Sequence, residues 1–159
     1  MKLKSLIIAA SIAASTATIG HTEGVKVGMI TTLSGGGAGL GIDVRDGFML
    51  AIAQSGRDDI EIVIEDDQRK PDIAVQLADR LIQSEKVDVM TGIIWSNLAM
   101  AVVPGAVAQG QFYLSPNAGP SPLAGAACHE NYFNVAWQND NLHEAAGAYS
   151  NDAGYANTF

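Results

Sequence analysis

Asp66 and Asp67 are the nearest approach to a paired-carboxylate site in this chain, and their spacing argues against one. Adjacent residues in a strand point to opposite faces, so the two carboxyls do not converge on one atom. His21, His129 and His143 have no metal-ligand spacing, and His143-Glu144 lacks the second histidine of a metalloprotease helix. No serine stands at a recognisable spacing from a histidine and an acid. Cys128 is the only cysteine, and its type reads best as a small buried apolar residue. No catalytic, metal or cofactor constellation emerges, which points away from an enzyme. The polar chemistry lies instead in three loops, residues 32–41, 92–97 and 115–121, all rich in Gly, Ser, Thr or Asn. Asp66-Asp67-Gln68 is a fourth candidate.

The elements that must position these loops alternate. Residues 25–31 read as a buried strand, with Val25, Val27, Met29 and Ile30 and a β-branched end. Residues 43–55 read as a helix whose Val44, Phe48, Ala51 and Ile52 share one face, ended by Gly56. Residues 60–65 alternate Ile60, Ile62 and Ile64 against Glu61 and Glu65, as a second strand does. Pro71 suits the first turn of a second helix, in which Ile73, Leu77 and Leu81 keep an apolar stripe. Residues 87–91 and 111–114 are further strands, with a helix over 98–109 between them that Pro104-Gly105 could bend. A short extended segment over 132–136 and a helix over 140–153 follow. The pattern predicts an α/β fold: a doubly wound, largely parallel sheet with helices on both faces. In such sheets ligands bind at the carboxyl ends of the strands, where the polar loops fall.

Charge and targeting narrow the class. The net charge is −8 and the only adjacent basic pair, Arg69-Lys70, sits among Asp66, Asp67 and Asp72. Without a basic patch, nucleic acid is not an expected partner. Lys2 and Lys4 precede an uncharged apolar run over residues 6–17, followed by small residues with Ser15 and Ala17 at a −3/−1 spacing. That is the layout of a secretory signal peptide, and the run is shorter than the ~20 apolar residues of a spanning helix. Residues 1–22 are therefore expected to be a cleaved leader, and the mature chain to work in the periplasm, where nicotinamide cofactors are scarce.

Two family resemblances compete for the same loops. Residues 34–41 (SGGGAGLG) resemble the T-G-x-x-x-G-[IL]-G loop of short-chain dehydrogenases, and Asn117-Ala118-Gly119 resembles their Asn-Ala-Gly motif. Asp66 stands where an acid could hold a ribose hydroxyl. The alternative reading is thus a fragment of an NAD(P)-dependent enzyme of that family.

The second resemblance spans nearly the whole chain. VKVGMITTLSG (residues 25–35), Asp66-Asp67, Asp72-Ile73-Ala74, VDVMTG (residues 87–92) leading to Trp95-Ser96-Asn97, and LSPNAG (residues 114–119) follow the order of type I periplasmic solute-binding proteins, the leucine/isoleucine/valine-binding family. SPLAG (residues 121–125), Cys128 and WQND (residues 137–140) are similar to one branch of it. The resemblance implies a two-lobed protein that closes on a small solute, a carboxylate, and delivers it to an ABC importer permease in the inner membrane. It also implies that the chain is truncated: residues 23–135 form the first α/β lobe and 136–159 the first helix of an incomplete second lobe.

The same resemblance places the ligand residues. Ser96 matches the family's carboxylate-binding serine, with Asn97 beside it at the start of a helix whose N–H groups favour an anion. Capping that helix is the alternative role for either residue. Asn117, Ala118 and Gly119 match the fourth-strand loop, with Gly119 replacing a threonine common in amino-acid binders. Leu40 stands where branched-chain binders often place an aromatic, and Trp95 offers a flat surface. These two departures keep an aromatic carboxylate open beside a branched-chain amino acid. No cofactor is expected.

Overall fold

A computed structural model describes residues 24–157. The leader expected over residues 1–22 lies outside the described residues. The sheet has five parallel strands in the order β2-β1-β3-β4-β5: β1 Val25–Thr31, β2 Ile60–Asp66, β3 Val89–Thr91, β4 Phe112–Ser115 and β5 Tyr132–Asn134. The helices are α1 Ala38–Ser55, α2 Pro71–Gln83, α3 Ser96–Ala108 and α4 Asn139–Asp152, with a short 3-10 turn at Ser121–Ala124.

β1 is flanked on both sides, so its uninterrupted apolar run is buried from Val27 onward. α2 carries Pro71 in its first turn beside Asp72, and Arg80 in its last, each matched to its end of the helix dipole. It buries Ala74, Ala78 and Leu81 against a core shared with α3, which contributes Leu98, Ala99, Val102, Val103, Ala106 and Val107. α3 continues through Pro104, which is exposed, to Ala108.

Three expectations need correction. α1 begins at Ala38, not at residue 43, because Gly35 (φ 72) and Gly37 (φ 89) turn the chain within residues 34–37. Half of the glycine-rich segment is therefore helix. Its expected apolar face is only half-buried at Val44, Phe48 and Ile52, and Ala51 is exposed. Cys128 is exposed, since it sits in a surface turn where its N–H meets the Gly125 carbonyl at 3.0 Å.

The strand order also separates the two resemblances. A dinucleotide-binding sheet runs 3-2-1-4-5-6, with β2 between β1 and β3. Here β1 pairs directly with both β2 and β3, so the order reverses between β1 and β3. In such sheets the ligand crevice lies at that reversal, here at the carboxyl ends of β1 and β3, where the loops carry Thr32 and Trp95.

Candidate functional site

The crevice is closed at its base by a short polar circuit. Thr32 follows β1 and is fully buried; its hydroxyl donates to Asp67 Oδ1 at 2.6 Å and accepts from Trp95 Nε1 at 3.0 Å. Asp67, also fully buried, accepts the Arg69 backbone N–H through the same oxygen at 2.8 Å. Burial pushes the Asp67 carboxyl above its ordinary range, against the lowering effect of the Thr32 and Arg69 donors. Its Oδ2 and the Thr31 hydroxyl are buried without a partner among the described residues.

Asp66 behaves differently. Its Oδ1 accepts the backbone N–H groups of Leu33 at 2.8 Å and Gln68 at 2.9 Å. Slight burial works to raise it, but the Ser34 side chain and these N–H groups prevail and hold the carboxyl below its ordinary range. The acid that might have faced a ribose is thus engaged in organising its own loops.

Gln68 (φ 51) and Arg69 (φ 59) both lie in the left-handed region. Non-glycine residues there cost roughly 1 kcal/mol or more each. The aspartate-to-backbone bonds just described hold the turn in place. They deliver the Arg69 guanidinium over the Trp95 ring, with Cζ 3.8 Å from the centroid, and one Nη within 3.4 Å of the Gly36 carbonyl. The six-membered ring of the indole abuts Gly37, where a Cβ would overlap the Trp95 ring carbons. Trp95 is therefore a half-buried wall joining three loops, with Arg69 over its ring.

Ser96 is the first residue of α3, after Trp95 as the cap, and among the described residues no side-chain bond caps the helix. The first helical bond runs from Ala99 N–H to the Trp95 carbonyl at 2.9 Å, leaving the preceding N–H groups uncommitted. The Ser96 hydroxyl accepts from Asn139 Nδ2 at 2.9 Å, and among the described residues nothing accepts its own proton. The capping role expected as its alternative is not the one it takes. Asn97 is exposed, and its side chain makes no hydrogen bond among the described residues.

The fourth-strand loop is tied to this helix start. Asn117 Nδ2 donates to the Ile94 carbonyl at 2.9 Å, so it bridges loops rather than merely turning one. The buried Ala118 carbonyl accepts from the Ser115 hydroxyl at 2.5 Å and the Tyr132 hydroxyl at 3.4 Å. The Gly119 carbonyl accepts the Asn139 N–H at 2.8 Å. A Cβ at Gly119 would overlap the Trp137 carbonyl oxygen, which explains the missing threonine: the segment before α4 occupies its place.

The structure thus brings Trp95, Ser96, Asn117, Ala118 and Gly119 into one connected rim, with Asn139 spanning two of its loops. Leu40 stands on α1, 49% exposed, outside that network. Arg69 and Asn139 were not among the expected site residues, while Thr32 and Asp67 were covered only by the candidate loops 32–41 and Asp66-Asp67-Gln68. In sequence Asp66-Asp67-Gln68 is a candidate loop and Arg69-Lys70 a basic pair among acids, and only the left-handed turn brings Arg69 over Trp95. A surface cavity of about 300 Å³ lined by Gly24, Lys26, Asp59 and Glu61 lies at the amino ends of β1 and β2, away from this rim. No metal-binding cluster occurs among the described residues, and none of their helices is long and apolar enough to cross a membrane.

Comparison with known proteins fits this geometry. The model of the periplasmic binding protein family matches residues 24–159. Comparison with curated proteins gives no match. Among solved structures, an ABC transporter solute-binding protein from R. palustris in complex with benzoate is 36% identical with a TM-score of 0.78, over 82% of this chain and 38% of that one. One from Rhodopseudomonas palustris BisB5 in complex with 3,4-dihydroxybenzoic acid is 25% identical with a TM-score of 0.74, over 82% and 36%. A leucine-binding protein from Thermotoga maritima shares the fold at 21% identity and a TM-score of 0.74, over 79% and 36%. The chain spans under two fifths of the length of these structures. With the family model covering every described residue, this chain belongs to the periplasmic binding protein family.

Proposed function

We propose that this chain is the first-lobe portion of an extracytoplasmic solute-binding component of an ABC importer, and that its rim holds the carboxylate of a small solute. One observation carries the reading: the start of α3 offers a hydroxyl proton and backbone N–H groups that nothing in the described fold consumes. Those donors favour an anion at a helix N-terminus, and they sit at the strand-order reversal. Ser96, Asn97 and Asn117 supply the polar contacts, with Ala118 and Gly119 shaping the loop and Trp95 and Leu40 the apolar walls. The solute is an aromatic or other small carboxylate, with a branched-chain amino acid as the second candidate. The 36% identical relative was solved with benzoate, and the threonine common in amino-acid binders is sterically barred at Gly119. Delivery is to an inner-membrane permease, after removal of residues 1–22 on export.

Calorimetry of the mature gene product against benzoate, hydroxybenzoates, leucine and isoleucine tests this. Binding of at least one, weakened about tenfold or more by S96A, is the expected result, since a hydrogen bond to a charged group contributes roughly 1.5–3 kcal/mol. A well-folded protein silent across the panel refutes it.

A further inference from the structure

Resting on that solute-binding reading, we infer that Arg69 determines the class of solute, by offering the outer face of its guanidinium as a platform for a planar ring. The inner face lies on Trp95 at 3.8 Å. Arg69 itself is exposed, and among the described residues it has no ion-pair partner. In a chain of net charge −8, this cation is held over an indole instead of a carboxylate.

Its placement is costly and well supported. Two consecutive left-handed residues are kept by Asp66 and Asp67, and Asp67 is bonded through Thr32 to the Trp95 indole N–H. Backbone and side chain of Arg69 thus close one loop of contacts that begins and ends on Trp95. Gly37 abuts the six-membered ring of the indole with no room for a Cβ between them. A guanidinium held over the indole in this way leaves one planar, cationic surface, and its support, Trp95, is next in the chain to Ser96. An arene is complementary to that surface through its π-face, while its carboxylate is complementary to the helix start. A saturated ring or a branched aliphatic chain gains only the second contact. The selected class is therefore the aromatic monocarboxylates.

Benzoate and cyclohexanecarboxylate share a carboxylate and differ in the ring, so their affinity ratio isolates the platform. Calorimetry of the mature gene product should show benzoate favoured by about tenfold. R69K keeps the charge but loses the planar face, and should bring the ratio to within about threefold at an unchanged unfolding midpoint. R69Q should do the same and weaken both acids. A wild-type ratio near one, or a ratio that survives R69K, overturns the inference. Tight leucine binding without benzoate binding also overturns it, yet leaves the importer reading intact. Silence toward every acid tested removes both.

Discussion

Replacing Thr32 with valine isolates the polar circuit under the crevice, because the two side chains match in shape and differ in one hydroxyl. Two bonds disappear: the charge-assisted one to Asp67 at 2.6 Å and the one from Trp95 Nε1 at 3.0 Å. A bond to a charged group contributes roughly 1.5–3 kcal/mol and a neutral one about 1 kcal/mol, so T32V should cost about 3 kcal/mol at neutral pH. At a urea dependence of roughly 2 kcal/mol per molar, the unfolding midpoint falls by about 1.5 M. The pH dependence gives a second check. Burial already raises the folded-state affinity of Asp67 for a proton above the ordinary value of 3.8. Such a group adds stability that is fully present below the unfolded pKa and lost as pH rises through the folded one. Removing the Thr32 donor raises the folded pKa further. The T32V penalty must therefore be largest at pH 7 and shrink as the solution is acidified toward pH 4, where the carboxyl protonates and no longer needs a donor. Urea titrations of both proteins across that range test the argument. A loss below about 1 kcal/mol at pH 7, or a loss that stays constant in acid, refutes it.

G119T forces a Cβ into the Trp137 carbonyl and should break the Asn139 N–H bond to residue 119, lowering stability by about 1–3 kcal/mol; an unchanged thermal midpoint refutes the packing account. Exposed Cys128 should react with a thiol reagent, one equivalent per chain, at the same rate with and without denaturant, and slow native labelling contradicts its placement.

The amino-acid sequence determined the order of elements and the location of the polar loops. Apolar runs such as the one in β1 and the i, i+4 stripe of α2 are local patterns whose period states the structure they form. It also carried the family, through short motifs kept in order from Val25 to Asp140. Two competing folds nevertheless shared those patterns, because strand order is a pairing between segments far apart in the chain. Only the direct pairing of β1 with β3 separated them. The same holds inside the site. Ser96 and Asn117 were legible as candidates because a family motif marks them. The placement of Arg69 over Trp95 was not, because it depends on a left-handed turn held by Asp66 and Asp67 and on an indole 26 residues further along the chain. Gly119 was visible as a departure from a pattern, while its cause, the Trp137 carbonyl in the space a side chain would need, is a contact that exists only once the chain has folded.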